Sequence, residues 1–78
     1  MLIVEDDESV GRFIVQATTE AGFVPRLVVD GAEGLALARQ IPFDIILLDI
    51  MLPSLSGFEI CRKLRAAKIQ VPILMLTA

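Results

Sequence analysis

The stretch DIILLDIMLPSLSG, residues 44–57, joins a continuous apolar run to a single carboxylate, Asp49, and follows it with Pro53 and Gly57. Ile45–Leu48 does not alternate apolar with polar residues. A run of that kind suits a strand covered on both faces, as in a parallel sheet flanked by crossover helices. The acid at its far end then stands at the carboxyl edge of the sheet, where open α/β sheets bind their ligands.

The rest of the chain supplies the sheet that this strand needs. Met1–Val4, Val24–Val29 and Val71–Leu76 are further strand-like runs, and stretches with helical periodicity lie between them. Ser9–Ala21 repeats Val10, Phe13, Ile14 and Ala17 at helical spacing, with Gly22 as its C-terminal stop. Asp30 precedes Glu33 by three, a capping pattern for a helix through Gln40 that offers Leu35 and Ala38 on one side. Ser56 and Glu59 repeat the pattern before a third helix with Ile60, Leu64 and Ala67 as its apolar stripe. Gly34 costs its helix ~1 kcal/mol relative to alanine, which predicts close approach to the sheet. Phe13, Phe23, Phe43 and Phe58 are expected to pack in the interior.

The order is therefore β-α-β-α-β-α-β. Pro25 falls inside the second strand, and a residue with no N–H to donate belongs at an edge. Right-handed crossovers then predict the strand order 2-1-3-4, with the first helix on one face and the other two on the opposite face. This is an open, three-layer parallel α/β sheet of flavodoxin-like winding.

Composition bounds the function. Seventy-eight residues suffice for one small domain. Hydrophobic residues make up 55% of them and the mean hydropathy is +0.73, more apolar than a small fold can bury alone. The chain is expected either to cover apolar surface with a partner or to be the core-rich portion of a larger domain. No run approaches the ~18 apolar residues of a membrane span. "MLIVEDDE" has neither the basic segment nor the apolar length of a signal peptide. The single Cys61, expected to face the core of the third helix, fits a reducing cytoplasm. Ten acidic against seven basic residues, with no cationic block, argue against nucleic-acid binding by this segment.

In the predicted sheet, strand one ends at Glu5-Asp6-Asp7 and strand three at Asp49, so four carboxylates meet at the crevice where the winding reverses. Crowded carboxylates repel one another unless a cation compensates. Only oxygen donors are on offer, because the chain has no histidine and Cys61 lies on another face, so Mg²⁺ or Mn²⁺ is favoured over zinc. Magnesium with one or two carboxylates suits a phosphoryl substrate. Strand four adds Thr77, whose hydroxyl is expected to reach a group attached to Asp49.

"LIVEDDE", "DIILLDIMLPSLSG" and "ILMLTA", in this order and spacing, resemble the receiver domain of bacterial two-component response regulators. The resemblance implies that Asp49 accepts a phosphoryl group from the phosphohistidine of a sensor histidine kinase. It implies Asp6 as a direct magnesium ligand, Glu5 as a ligand largely through water, Asp7 as a third acid, and Met51 as a ligand through its backbone carbonyl. Thr77 matches the switch hydroxyl and Ala78 the small residue beside it. The implied module is a cytoplasmic signalling phosphoprotein rather than an enzyme, assisting its own phosphorylation and dephosphorylation and acting on an output domain or downstream protein.

The family domain continues beyond this point for about a third of its length, through two helices and a fifth strand that carries a lysine and an aromatic residue. Lys63 and Lys68, in or just after the third helix, do not match that lysine. Residues 1–78 thus correspond to the amino-terminal two-thirds of a receiver. A chain ending at Ala78 is expected to be phosphorylated slowly or not at all, with its output uncoupled, and to expose its fourth strand as an edge for homo-oligomer formation. The alternative is a truncated receiver fragment with only a structural or self-assembling role. A phosphatase of the haloacid-dehalogenase type needs a second aspartate where Met51 stands. A nucleotide or flavin binder needs a phosphate loop where "EDDESVG" offers acids.

Overall fold

Residues 1–76 are described by a computed structural model; Thr77 and Ala78, with the roles the resemblance implies for them, lie outside the described residues. The elements run β1 (Leu2–Val4), α1 (Glu8–Glu20), β2 (Arg26–Val28), α2 (Gly31–Gln40), β3 (Ile46–Asp49), α3 (Gly57–Ala66) and β4 (Ile73–Leu76). All four strands are parallel, in the order β2-β1-β3-β4. This is the topology predicted from the sequence.

One boundary moves. Pro25 precedes β2 instead of lying inside it, and the ladder begins at the residue after the proline: Arg26 N–H donates to the Met1 carbonyl at 2.9 Å. β2 is still outermost in the sheet.

Alternation along the strands sorts the apolar side chains between two faces. Leu2, Val4, Val28, Ile46 and Leu48 form one core with Leu35 and Ala38 of α2, Ile60 and Leu64 of α3, and Leu52. The intervening Ile3 and Leu47 are also buried and turn toward the other face, on which α1 packs against β1 and β2. Two glycines permit these contacts. A Cβ on Gly34 would lie 2.7 Å from Val4 Cγ2, and one on Gly11 2.9 Å from Leu27 Cδ2, so α2 and α1 sit directly on β1 and β2. The close approach expected of Gly34 is thereby explained.

Each helix starts on an oxygen that accepts a free backbone N–H. Asp7 accepts from Ser9 and Val10, Asp30 from Glu33, and Ser56 from Glu59. At the other end of α1, Gly22 takes φ +97°, with Gly22 N–H bonded to Thr19 O and Phe23 N–H to Thr18 O, a left-handed stop that favours glycine.

The packing expected of the phenylalanines holds for Phe43 alone, which lies against the core. Phe13, Phe23 and Phe58 are exposed, Phe13 to 72%. Helical periodicity predicts an apolar stripe on α1, but Val10 and Phe13 find no cover among the described residues, and Leu74 of β4 is likewise exposed.

Candidate functional site

β1 and β3 are neighbours in register, Val4 beside Leu48. The next residue of each chain is an acid, so Glu5 and Asp49 emerge side by side at the carboxyl edge of the sheet. Glu5, Asp6 and Asp49 each offer an oxygen, and these atoms all lie within 4.8 Å of one another. Glu5 is buried, Asp49 half-buried and Asp6 exposed. The cluster therefore has a dry floor and a wet rim.

The expected fourth carboxylate is absent from this group. Asp7 Oδ1 accepts Ser9 N–H at 2.9 Å and Val10 N–H at 3.1 Å, so its side chain closes the first turn of α1. An acid just before a helix can serve either purpose, and two free N–H groups are closer partners than a crowded anionic cleft.

Two backbone donors orient the acids. Asp7 N–H donates to Glu5 Oε2 at 3.1 Å, and Met51 N–H donates to Asp49 Oδ1 at 3.2 Å. Burial pushes the Glu5 carboxyl above its usual range, the neighbouring Asp49 and Asp6 carboxylates push the same way, and the Asp7 N–H opposes them. Among the described residues the two ion pairs, Met1 amine with Asp44 and Arg12 with Glu8, leave this cluster without a basic partner. Three carboxylates so placed have the character of a site for a hard cation.

Glu5, Asp6, Asp7 and Asp49 line a crevice of about 550 Å³ together with Val10, Phe13, Ile14 and Leu76. Met51 places its N–H on Asp49 and leaves its side chain 72% exposed, so any contribution to the site comes from its backbone. Leu76 is the register partner of Asp49, while Thr77 lies outside the described residues. Cys61 is a half-buried free thiol on α3, away from the acids.

Two features escaped the sequence reading. Gly57 N–H bonds Ile50 O at 3.0 Å, and a Cβ on Gly57 would lie 2.5 Å from Asp49 O, so α3 begins hard against the backbone of the acid. The only signal was the glycine itself, eight residues after Asp49. Ser54 Oγ donates to Asp30 Oδ1 at 2.8 Å, joining the loop after β3 to the start of α2. Nothing local marks that bond, because its partners are 24 residues apart.

Known proteins share this fold. The chain matches the response regulator receiver domain over residues 1–78. It is 47% identical to the transcriptional regulatory protein CusR of Escherichia coli K12 and 45% identical to the probable transcriptional regulatory protein SilR of Salmonella typhimurium, in each case over all of this chain and 34% of the relative. Among solved structures it resembles the receiver domain of Francisella response regulator 1452, with a TM-score of 0.95 and 32% identity over 99% of this chain and 64% of that one. It also resembles the BeF3-activated N-terminal receiver domain of Klebsiella pneumoniae RstA, with a TM-score of 0.85 and 36% identity over 97% of this chain and 64% of that one. The chain thus spans about a third of the length of these transcriptional regulators and just under two-thirds of the solved receiver chains.

Proposed function

The chain belongs to the response regulator receiver family, and from that premise we propose that it is a phosphoacceptor module in which Asp49 takes a phosphoryl group from the phosphohistidine of a sensor histidine kinase. The observation that carries this reading is the convergence of Glu5, Asp6 and Asp49 from two adjacent strand ends. We read residues 1–78 as the amino-terminal two-thirds of the receiver.

The donor set fits magnesium. The side-chain oxygens are all carboxylate, and the buried acid has its pKa raised first by burial and then by the neighbouring Asp49 and Asp6 carboxylates, a load that a cation would relieve. Glu5, Asp6, Asp49 and the Met51 carbonyl would hold the ion, with Mn²⁺ as a substitute. Bound there, the ion supplies positive charge to the carboxylates and to the phosphoryl oxygens. Phosphoryl transfer asks a protein chiefly for positioning and charge stabilisation, and this chain's residues provide the positioning. Met51 N–H fixes one oxygen of Asp49. A bond forms between an Asp49 oxygen and phosphorus as the nitrogen–phosphorus bond of the donor breaks.

The product carries a total of roughly two negative charges where the free carboxylate carried one, and three acceptor oxygens, by analogy with other phosphorylated side chains. The Thr77 hydroxyl is proposed to bond one of those oxygens, and the resulting change of surface is read by an output domain or downstream protein. Transcriptional regulation is proposed for the whole protein, from its relatives' names. A cytoplasmic location accords with a chain in which no described helix is long and apolar enough to cross a membrane.

Incubation with a small phosphodonor and Mg²⁺, followed by intact mass measurement, tests the proposal. One phosphoryl adduct is expected in the wild type and none in Asp49→Asn; an unchanged wild-type mass contradicts it.

A further inference from the structure

The segment 50–56, between β3 and α3, is held at both ends near Asp49. Met51 N–H donates to Asp49 Oδ1, and Gly57 N–H donates to Ile50 O. Between these ends Leu52 is buried in the core. The far side of the segment is attached to a different element. Ser54 Oγ donates to Asp30 Oδ1 at 2.8 Å, and Leu55 O lies where a Cβ on Gly31 would approach it to 2.6 Å. The start of α2 is therefore the surface against which this loop is set.

Asp30 does two jobs with two oxygens. Its Oδ2 accepts Glu33 N–H at 3.0 Å and caps α2, while Oδ1 receives the Ser54 hydroxyl. Serine, aspartate and asparagine cap helices about equally well, but serine has one side-chain oxygen and spends it on the cap. Only aspartate offers two acceptor oxygens; asparagine offers one oxygen for the cap and an amide N–H that can donate to the Ser54 oxygen instead. The Glu33 N–H, and after it the Ser54 hydroxyl, hold the Asp30 carboxyl below its usual range, so it is ionised and accepting at neutral pH.

We propose that Asp30 is a positioning residue for the acidic site: through Ser54 it pins the 50–56 segment, and through Met51 N–H that segment orients the Asp49 carboxylate. The inference rests on the phosphoacceptor reading of Asp49 for its consequence, although the pinning is a property of the metal-free chain. Asp30 is not one of the three acids whose oxygens cluster at the site, so its role is to position and not to ligate.

Four variants of the full chain separate pinning from capping. Ser54→Ala removes the hydroxyl, and Asp30→Ser keeps a capping oxygen while giving up the one that meets Ser54. Ser54→Thr retains both bonds, and Asp30→Asn retains the cap through its one oxygen while its amide N–H donates to Ser54 Oγ, so the link to the loop is kept with its direction reversed. Amide hydrogen exchange of Met51 and Gly57 is measured without metal, and Mn²⁺ affinity is measured separately by electron paramagnetic resonance. In Ser54→Ala and Asp30→Ser, exchange of the two amides is expected to rise about threefold to tenfold, the scale of one lost hydrogen bond. The Mn²⁺ dissociation constant should rise by a similar factor while the Glu33 amide stays protected, and Ser54→Thr and Asp30→Asn should match the wild type. Unchanged exchange overturns the pinning. Faster exchange with unchanged Mn²⁺ affinity overturns the positioning role. A wild type that binds no Mn²⁺ overturns the phosphoacceptor reading and the positioning of Asp49 with it, and the metal-free exchange still decides the pinning.

Discussion

Glu5 and Asp49 end adjacent parallel strands and bring carboxylate oxygens within 4.8 Å of each other, with Glu5 only 5% exposed. Burial disfavours a charge on Glu5 and a second carboxylate disfavours it again, so the folded chain binds the Glu5 proton more tightly than the unfolded chain does. A fold that holds such a pair is under electrostatic load when both are ionised.

That load has a pH signature. Because the folded pKa of Glu5 lies above its ordinary 4.5, the stability it contributes is complete below that value and is lost as pH rises through the folded pKa. Metal-free wild type should lose stability relative to Glu5→Gln as pH is raised from 4 toward neutrality. Thermal melts at several pH values in a chelator measure the difference. A constant gap between the two proteins would contradict the burial argument.

Magnesium should reverse the loss. A ligand that binds only the folded chain at a hundred times its dissociation constant stabilises it by about 2.7 kcal/mol. The melting temperature of the wild type should therefore rise with Mg²⁺, while Asp6→Asn and Asp49→Asn should respond weakly or not at all. An equal rise in all three would mean that the ion binds elsewhere.

Gly34→Ala sets helix propensity against packing. Propensity alone predicts a gain of about 1 kcal/mol for the helix. A Cβ at this position lies 2.7 Å from Val4 Cγ2 and 3.0 Å from Val4 Cγ1 in the buried core, so a net loss of about 1–3 kcal/mol is expected. Urea unfolding at constant m-value measures the sign.

Among the described residues β4 pairs only with β3, and its Leu74 is 56% exposed. An apolar edge of this kind invites pairing with another chain. The 78-residue chain should elute as a dimer or larger species, and Leu74→Lys should shift it toward monomer. A monodisperse wild-type monomer would contradict the proposed association through this edge.

Most of the architecture can be read from unbroken apolar runs and capping residues. Ile45–Leu48 is continuous because β3 is central, and Asp30 and Ser56 mark helix starts because their side chains accept the N–H groups that the helices leave free. The site is readable to the extent that strand ends are. Glu5, Asp6 and Asp49 follow from topology alone, whereas the role of Asp7 depends on which of two nearby partners its oxygen takes. Periodicity shows that α1 has an apolar stripe of Val10, Phe13 and Ile14, but it does not show what lies over that stripe. The Ser54–Asp30 bond leaves no trace in the sequence, since polar loop residues have no period and their partners are set only when the loop packs.

The most direct test is to locate the phosphoryl group. After reaction with a small phosphodonor, peptide mapping under conditions that preserve acyl phosphates should find the adduct on Asp49 alone, and a chelator should suppress it. An adduct on another residue, or one formed equally well without a divalent cation, would contradict the account.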